Sequence, residues 1–331
     1  MNGIPEPRKA SRRAFFAAAA GSGLTVAVAV AAAPGAANAA QPAQTAQRVR
    51  LPIPPRLQWN QHHGYCGECS IQQAALLFGA YVSQEACRAL LGSQRREVLL
   101  GVNDLRVLAA LQFAAEEFPF RRLPSPQFER WFGWTTAHLA AGHPVLFSCF
   151  VRGMDDPDYD HIMLATGCDA ARPGRYAPGD RLVFNDNFSL RPRVRRAATL
   201  PDARSMRGNG ARHRFCVPRA IDYGCAVAGI IDDTGRALPV RVLLDGAREP
   251  NVIAGQAPAT LRARVGIAGL VPGAAYVLYR YDDCRDVPAG DYAASRYATA
   301  RPFAAAATAA AFDDAIRSDG MAIYRCLPAG A

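Results

Sequence analysis

Apolar and polar positions alternate with two different periods along this chain. Across residues 67–81, Ile71, Ala74, Ala75, Leu77 and Phe78 recur at helical spacing and predict one buried helix face. Ser83 suits the N-cap of a second helix, with Ala86, Leu90 and Leu91 on its apolar side. Asn103 or Asp104 caps a third, which carries Leu105, Leu108, Leu111 and Phe118 and is stopped by Pro119. Residues 128–141 give a fourth, with Trp131, Trp134 and Leu139 as its apolar positions.

At His143 the period shortens. Residues 145–151 (VLFSCFV), 161–167 (HIMLATG) and 181–185 (RLVFN) read as strands, separated by turns at 155–160 and 174–180. Helices first and adjacent strands later predict an α+β domain with an antiparallel sheet. Residues 191–214 are dense in arginine and read as a solvated loop. From about Tyr223 short strand patterns recur at 226–231, 238–244, 260–265 and 275–281, with turn signals between them, and predict a small β-sandwich-like domain. Residues 304–311 are helical by propensity.

The first 39 residues stand outside this folding pattern. Arg8, Lys9, Arg12 and Arg13 precede an Ala-rich apolar run, and Ala37-Asn38-Ala39 is a small-x-small cleavage signature. The run Ser11-Arg12-Arg13-Ala14-Phe15-Phe16 resembles the twin-arginine export motif. That resemblance implies a periplasmic or extracellular protein, exported folded, with no stable membrane insertion after the leader is cleaved. Residues 40–57, rich in Gln, Ala and Pro, read as a flexible linker. The expected organisation is therefore a leader at 1–39, a linker at 40–57, a catalytic domain at 58–222 and a β-rich domain at 223–331.

Residues 1–39 hold four basic groups and one acid, so cleavage lowers the formal charge from +10 to +7. Lys9 is the only lysine. Arginine suits carboxylate and phosphate partners, but no nucleic-acid fold motif accompanies it, so no nucleic-acid partner is expected. Nine cysteines are spread over the chain, which is too sparse for a disulfide scaffold, and the odd count leaves at least one thiol unpaired within the chain.

Candidate chemistry concentrates at residues 59–79, WNQHHGYCGECSIQQAALLFG. A polar loop runs through a Cys-Gly-x-Cys turn straight into the first helix. A thiol at a helix N-terminus meets unpaired N–H groups and the positive end of the peptide dipoles, which favour the reactive thiolate. A nucleophile also needs a base and a group to orient that base. Of six histidines, His161 opens a strand, shares a face with Met163 and Ala165, and lies next to a strand ending in Asn185-Asp186-Asn187.

A helix-borne Cys, a strand-borne His and an Asn or Asp after the next strand is the order of papain-like cysteine peptidases. Residues 58–188 resemble that superfamily, and the run YCGECS is most similar to its bacteriocin-processing, double-glycine-leader branch. The matching positions are Cys66-Gly67, His161 with Gly167 and Asp169, and Asp186. The resemblance implies a Cys66–His161–Asp186 triad on a peptide or protein substrate, with no cofactor and no metal. The family places an oxyanion-stabilising Gln six residues before the Cys. Here Asn60 stands six before Cys66 and Gln61 five before, so either amide takes that role. The plant-type pattern would instead make Cys69 the nucleophile, although Ser70 stands where its usual Trp follows.

Three other readings compete. CGEC also looks like a thioredoxin-type pair. His62, His63, Cys66 and Cys69 form a cramped zinc set. The chain is otherwise an exported binding protein on a papain-like scaffold without catalysis.

Overall fold

The computed structural model describes residues 46–60, 64–92, 97–124, 126–150, 160–200 and 223–330. The expected leader at 1–39, Gln61, His62, His63 and the arginine-rich stretch 201–222 lie outside the described residues. So does the acidic turn before Asp160. The fold is α+β, with several antiparallel sheets.

Four helices appear where the period predicts them: α1 (Cys66–Leu77), α2 (Gln84–Ala89), α3 (Asp104–Ala110) and α4 (Phe128–Ala140). Two are shorter than expected. The first stops at Leu77 because Gly79 takes φ +73, and β2 (Ala80–Val82) follows. The third stops before Gln112, at φ +60, and Phe113–Glu117 becomes strand β3. Ser83 caps α2 as predicted, its hydroxyl accepting from Ala86 N at 3.0 Å.

The larger sheet has the order β3-β8-β4-β5-β6-β7. Its strands are β4 (Val145–Phe150), β5 (Asp160–Ala170), β6 (Arg181–Asn185), β7 (Arg193–Arg196) and β8 (Gly224–Ile230), beside β3. A further strand, β1 (Gln47–Arg50), pairs with the far half of β5. Part of the expected linker is therefore ordered. A side chain at Gly167 would collide with the Val49 carbonyl, so the missing Cβ lets β1 lie down there. Beyond it Ile53 and Arg56 are buried. Alternate residues of the strands serve different cores. Leu146 and Leu164 pack with Ile71 and Ala74 of α1, while Phe147 and Met163 pack with Trp131 and Phe132 of α4.

The remaining strands are β9 (Val240–Leu244), β10 (Thr260–Ala268), β11 (Ala275–Tyr281), β12 (Thr299–Ala304), β13 (Ala309–Arg317) and β14 (Met321–Pro328). They form sheets β13-β10-β9 and β12-β11-β14-β2. Val242, Val265, Leu278, Ile316 and Tyr324 from both sheets share one core. The helix expected at 304–311 is instead the end of β12 and the start of β13. The paired neighbours β11 and β10 override alanine's helical preference.

The expected boundary at 222/223 does not separate two bodies. Strand β8 lies between β3 and β4, and β2 hydrogen-bonds to β14, so Gln44–Ala331 form one compact unit. A buried polar knot ties the two halves. Glu249 accepts from Gln72 Nε2 at 2.7 Å, Tyr81 OH at 2.6 Å and Gln84 N at 2.8 Å, with Arg56 at 3.7 Å.

Candidate active site

The first helical hydrogen bond of α1 runs from Cys69 N to Tyr65 O, so Cys66 opens the helix. Gly67 is required beside it: a Cβ there would lie 2.8 Å from both Val98 Cβ and the Val98 carbonyl. The turn before Cys66 is clamped from α2. Arg88 lies 3.5 Å over the Tyr65 ring, donates to Gly64 O, and pairs with Glu68 at 2.6 Å. Tyr65 OH donates to Glu85 at 3.0 Å. Glu68 also accepts from Val98 N, and its burial pushes its pKa up against the pull of Arg88. The thiol of Cys66 is half-buried at the end of this clamp.

Cys69 differs from Cys66. It is fully buried, and that burial drives its thiol pKa far above the ordinary range. Gln73 Nε2 lies 3.6 Å from its sulfur. It is therefore a poor alternative nucleophile, because burial disfavours the reactive thiolate. The same burial weakens the redox reading of CGEC. Cys66 and Cys69 are not joined by a disulfide.

His161 is buried at the start of β5. It donates Nε2–H to the main-chain carbonyl of Asp186 at 2.6 Å, since a carbonyl can only accept. The ring stacks on Phe188 with centroids 4.4 Å apart and an interplanar angle of 15°. Desolvation lowers its pKa to about 4, against smaller opposing effects of Asp186. The Asp186 carboxylate is engaged elsewhere. Its Oδ1 accepts from Phe188 N and Ser189 N, and its Oδ2 pairs with Arg193 at 2.6 Å. The expected carboxylate-to-imidazole contact is thus replaced by a carbonyl-to-imidazole contact from the same residue.

Asn187 joins the two halves of the site. Its Nδ2, with two hydrogens to share, lies 3.0 Å from Cys66 O, 2.9 Å from Ser70 Oγ and 2.9 Å from Ile162 O. One amide nitrogen so ties the backbone of the nucleophile candidate to the residue after His161. Its Oδ1 accepts from Gln73 Nε2 at 2.6 Å, and Gln73 Oε1 accepts from Asn185 Nδ2 at 2.7 Å. Asn187 holds φ +59, which asparagine tolerates better than most residues.

Asn60 is exposed, and its Oδ1 accepts from Gln58 Nε2 at 3.2 Å. Gln61, the other oxyanion candidate, lies outside the described residues, as do two of the four proposed zinc ligands. Sequence reasoning treated Asn187 only as part of a polar strand end and gave no role to Ser70 or Gln73. The signal was legible: Ser70 and Gln73 are one turn apart on α1, and Asn185 and Asn187 are two apart. No protein-family model and no curated protein matches the chain.

Proposed function

We propose that this is an exported, papain-like cysteine hydrolase acting on a peptide or amide bond, with Cys66 as nucleophile and His161 as its base. The observation that carries the reading is the Asn187 amide, which binds the first turn of α1 and the start of β5 to one nitrogen. With Nε2–H held by the Asp186 carbonyl, Nδ1 is the basic nitrogen of the neutral ring.

In the proposed reaction the Cys66 sulfur attacks the carbonyl carbon and its proton passes to His161. The oxyanion is received by the Cys66 N–H and by Asn60 or Gln61. The C–N bond then breaks, the leaving amine takes the proton from His161, and a thioester remains. Water, deprotonated by His161, releases the acid; an amine in place of water gives acyl transfer.

One observation favours a second reading, a binding protein that has lost catalysis. The Asp186 carboxylate pairs with Arg193 instead of the imidazole, and the ring is strongly desolvated. Iodoacetamide labelling of the folded chain, followed by mass spectrometry, separates the two. The hydrolase reading expects rapid alkylation at Cys66, slowed in His161→Gln, together with cleavage of a peptide mixture that Cys66→Ala cannot perform. Alkylation no faster than for an ordinary thiol, with the peptide mixture left intact, favours the binding protein.

A further inference from the structure

Strand β7 ends the larger sheet. Among the described residues it pairs only with β6, so alternate N–H and C=O groups on its other side face away from the sheet. Its four residues, Arg193, Val194, Arg195 and Arg196, are all exposed. Arg191 precedes them and Arg181 lies opposite Arg196 on β6. Like charges directly opposite in a sheet repel. Arg193 is taken up by Asp186, but Arg191, Arg195 and Arg196 form no ion pair among the described residues, while Arg181 has Asp169 opposite it on β5. No acid occurs between 187 and 200, and 201–222 adds five arginines against two aspartates.

Apolar side chains are interleaved with this charge. Leu190 and Val194 are 57% and 45% exposed and belong to a short set of large hydrophobic residues on the described surface. An edge strand, guanidinium groups without an ion pair among the described residues and bare aliphatic side chains call for an extended ligand bearing carboxylates. The place matters as well. Phe184 of β6 pairs with Arg193, and two residues after Phe184 comes Asp186, whose carbonyl holds His161.

We propose that β7 is a docking edge for an extended, acidic peptide segment, which adds to the sheet as a further strand beside the candidate active site. The inference rests on the hydrolase reading only in making that peptide a substrate; the docking itself does not need catalysis. The peptide's main chain pairs with the open side of β7. Its carboxylates meet Arg191, Arg195 and Arg196, and an apolar residue covers Val194. A competing use of the same features is protective, since charge on an edge strand discourages sheet-to-sheet aggregation.

The test uses the full chain carrying Cys66→Ala and fluorescence anisotropy with a short labelled peptide alternating Glu and Thr. The expected result is saturable binding that weakens with added salt. Replacing Glu by Lys in the peptide should abolish it, as should N-methylation of alternate backbone amides. The double variant Arg191→Glu/Arg195→Glu should bind about tenfold more weakly or worse. Equal affinity for the N-methylated peptide, measured on the unaltered edge, overturns strand addition. Retained affinity in a folded double variant overturns the role of the arginines. No binding by the peptide, with aggregation of the double variant, assigns the edge the protective role instead. Adsorption only to vesicles of anionic phospholipid overturns the peptide as ligand. Peptide binding by this variant, together with slow Cys66 alkylation in the unaltered chain, defeats the hydrolase reading and leaves the docking edge standing.

Discussion

His161 and Asp186 meet through the main-chain carbonyl of the aspartate, at 2.6 Å, while the carboxylate of that aspartate turns to Arg193. The backbone thus fixes the imidazole tautomer, and the side chain stabilises the turn that presents the backbone. Asp186→Asn should therefore leave Cys66 alkylation within about tenfold of the unaltered chain. A carboxylate that directly oriented the base would cost on the order of 10⁴ in rate. A loss of that size would place the carboxylate in the catalytic group after all.

Asn187 should be the most sensitive polar residue of the site to truncation. Asn187→Ala removes a nitrogen within reach of Cys66 O, Ser70 Oγ and Ile162 O, and puts alanine, which tolerates the left-handed region less than asparagine does, at φ +59. We expect a loss of roughly 2–4 kcal/mol in urea unfolding. Asn187→Gly relieves the backbone strain alone, so it should recover only the smaller, conformational part of that loss. Full recovery in the glycine variant would show that the amide contributes little.

The pH dependence of stability should carry the signature of a histidine buried neutral. Its folded pKa, about 4, lies below the ordinary histidine value of about 6.5. The unfolded chain thus binds more protons between those values, and stability present above about pH 6.5 is lost as pH falls toward 4. The total is roughly 3 kcal/mol. Buried Glu68, Asp104 and Glu249 have raised pKa values and act in the opposite sense as pH rises. The difference between the unaltered chain and His161→Gln isolates the histidine. Parallel stability curves for the two over pH 4–6.5 would contradict the assignment.

Glu249 should be indispensable although it lies far along the chain from Cys66. Glu249→Ala leaves Arg56 buried beside Gln72 without its carboxylate, and removal of one partner of a buried pair costs about 3–5 kcal/mol. The same geometry predicts that residues 46–230 alone will not unfold cooperatively. That fragment lacks Glu249 and the β14 partner of β2. Circular dichroism of the fragment during thermal unfolding checks it, and a sharp two-state transition would refute the dependence.

Much of the fold was legible in the chain itself. Helical spacing marked α1 through α4, the Ser83 cap was read from residue type, and the 181–185 run fixed β6 at its observed bounds. These features depend on local periodicity and capping, which nearest neighbours encode. The reading failed where distant strands decide. Val194 sits among arginines, and 309–311 is a run of alanines. Neither segment has a strand pattern of its own, and each is a strand because a neighbour supplies hydrogen bonds.

The candidate site divides in the same way. Sequence alone determined that Cys66 opens a helix, that His161 starts a strand and that a polar Asn-Asp-Asn run ends the next one. Only the tertiary structure decided which atoms meet: a carbonyl instead of a carboxylate for the imidazole, Asn187 as the tie between helix and sheet, and Cys69 sealed in the core. Residue order records covalent neighbours and their intrinsic preferences. Which donor reaches which acceptor depends on how α1 packs on β5 and on where the chain turns after β6, and both are set by side chains far apart in sequence.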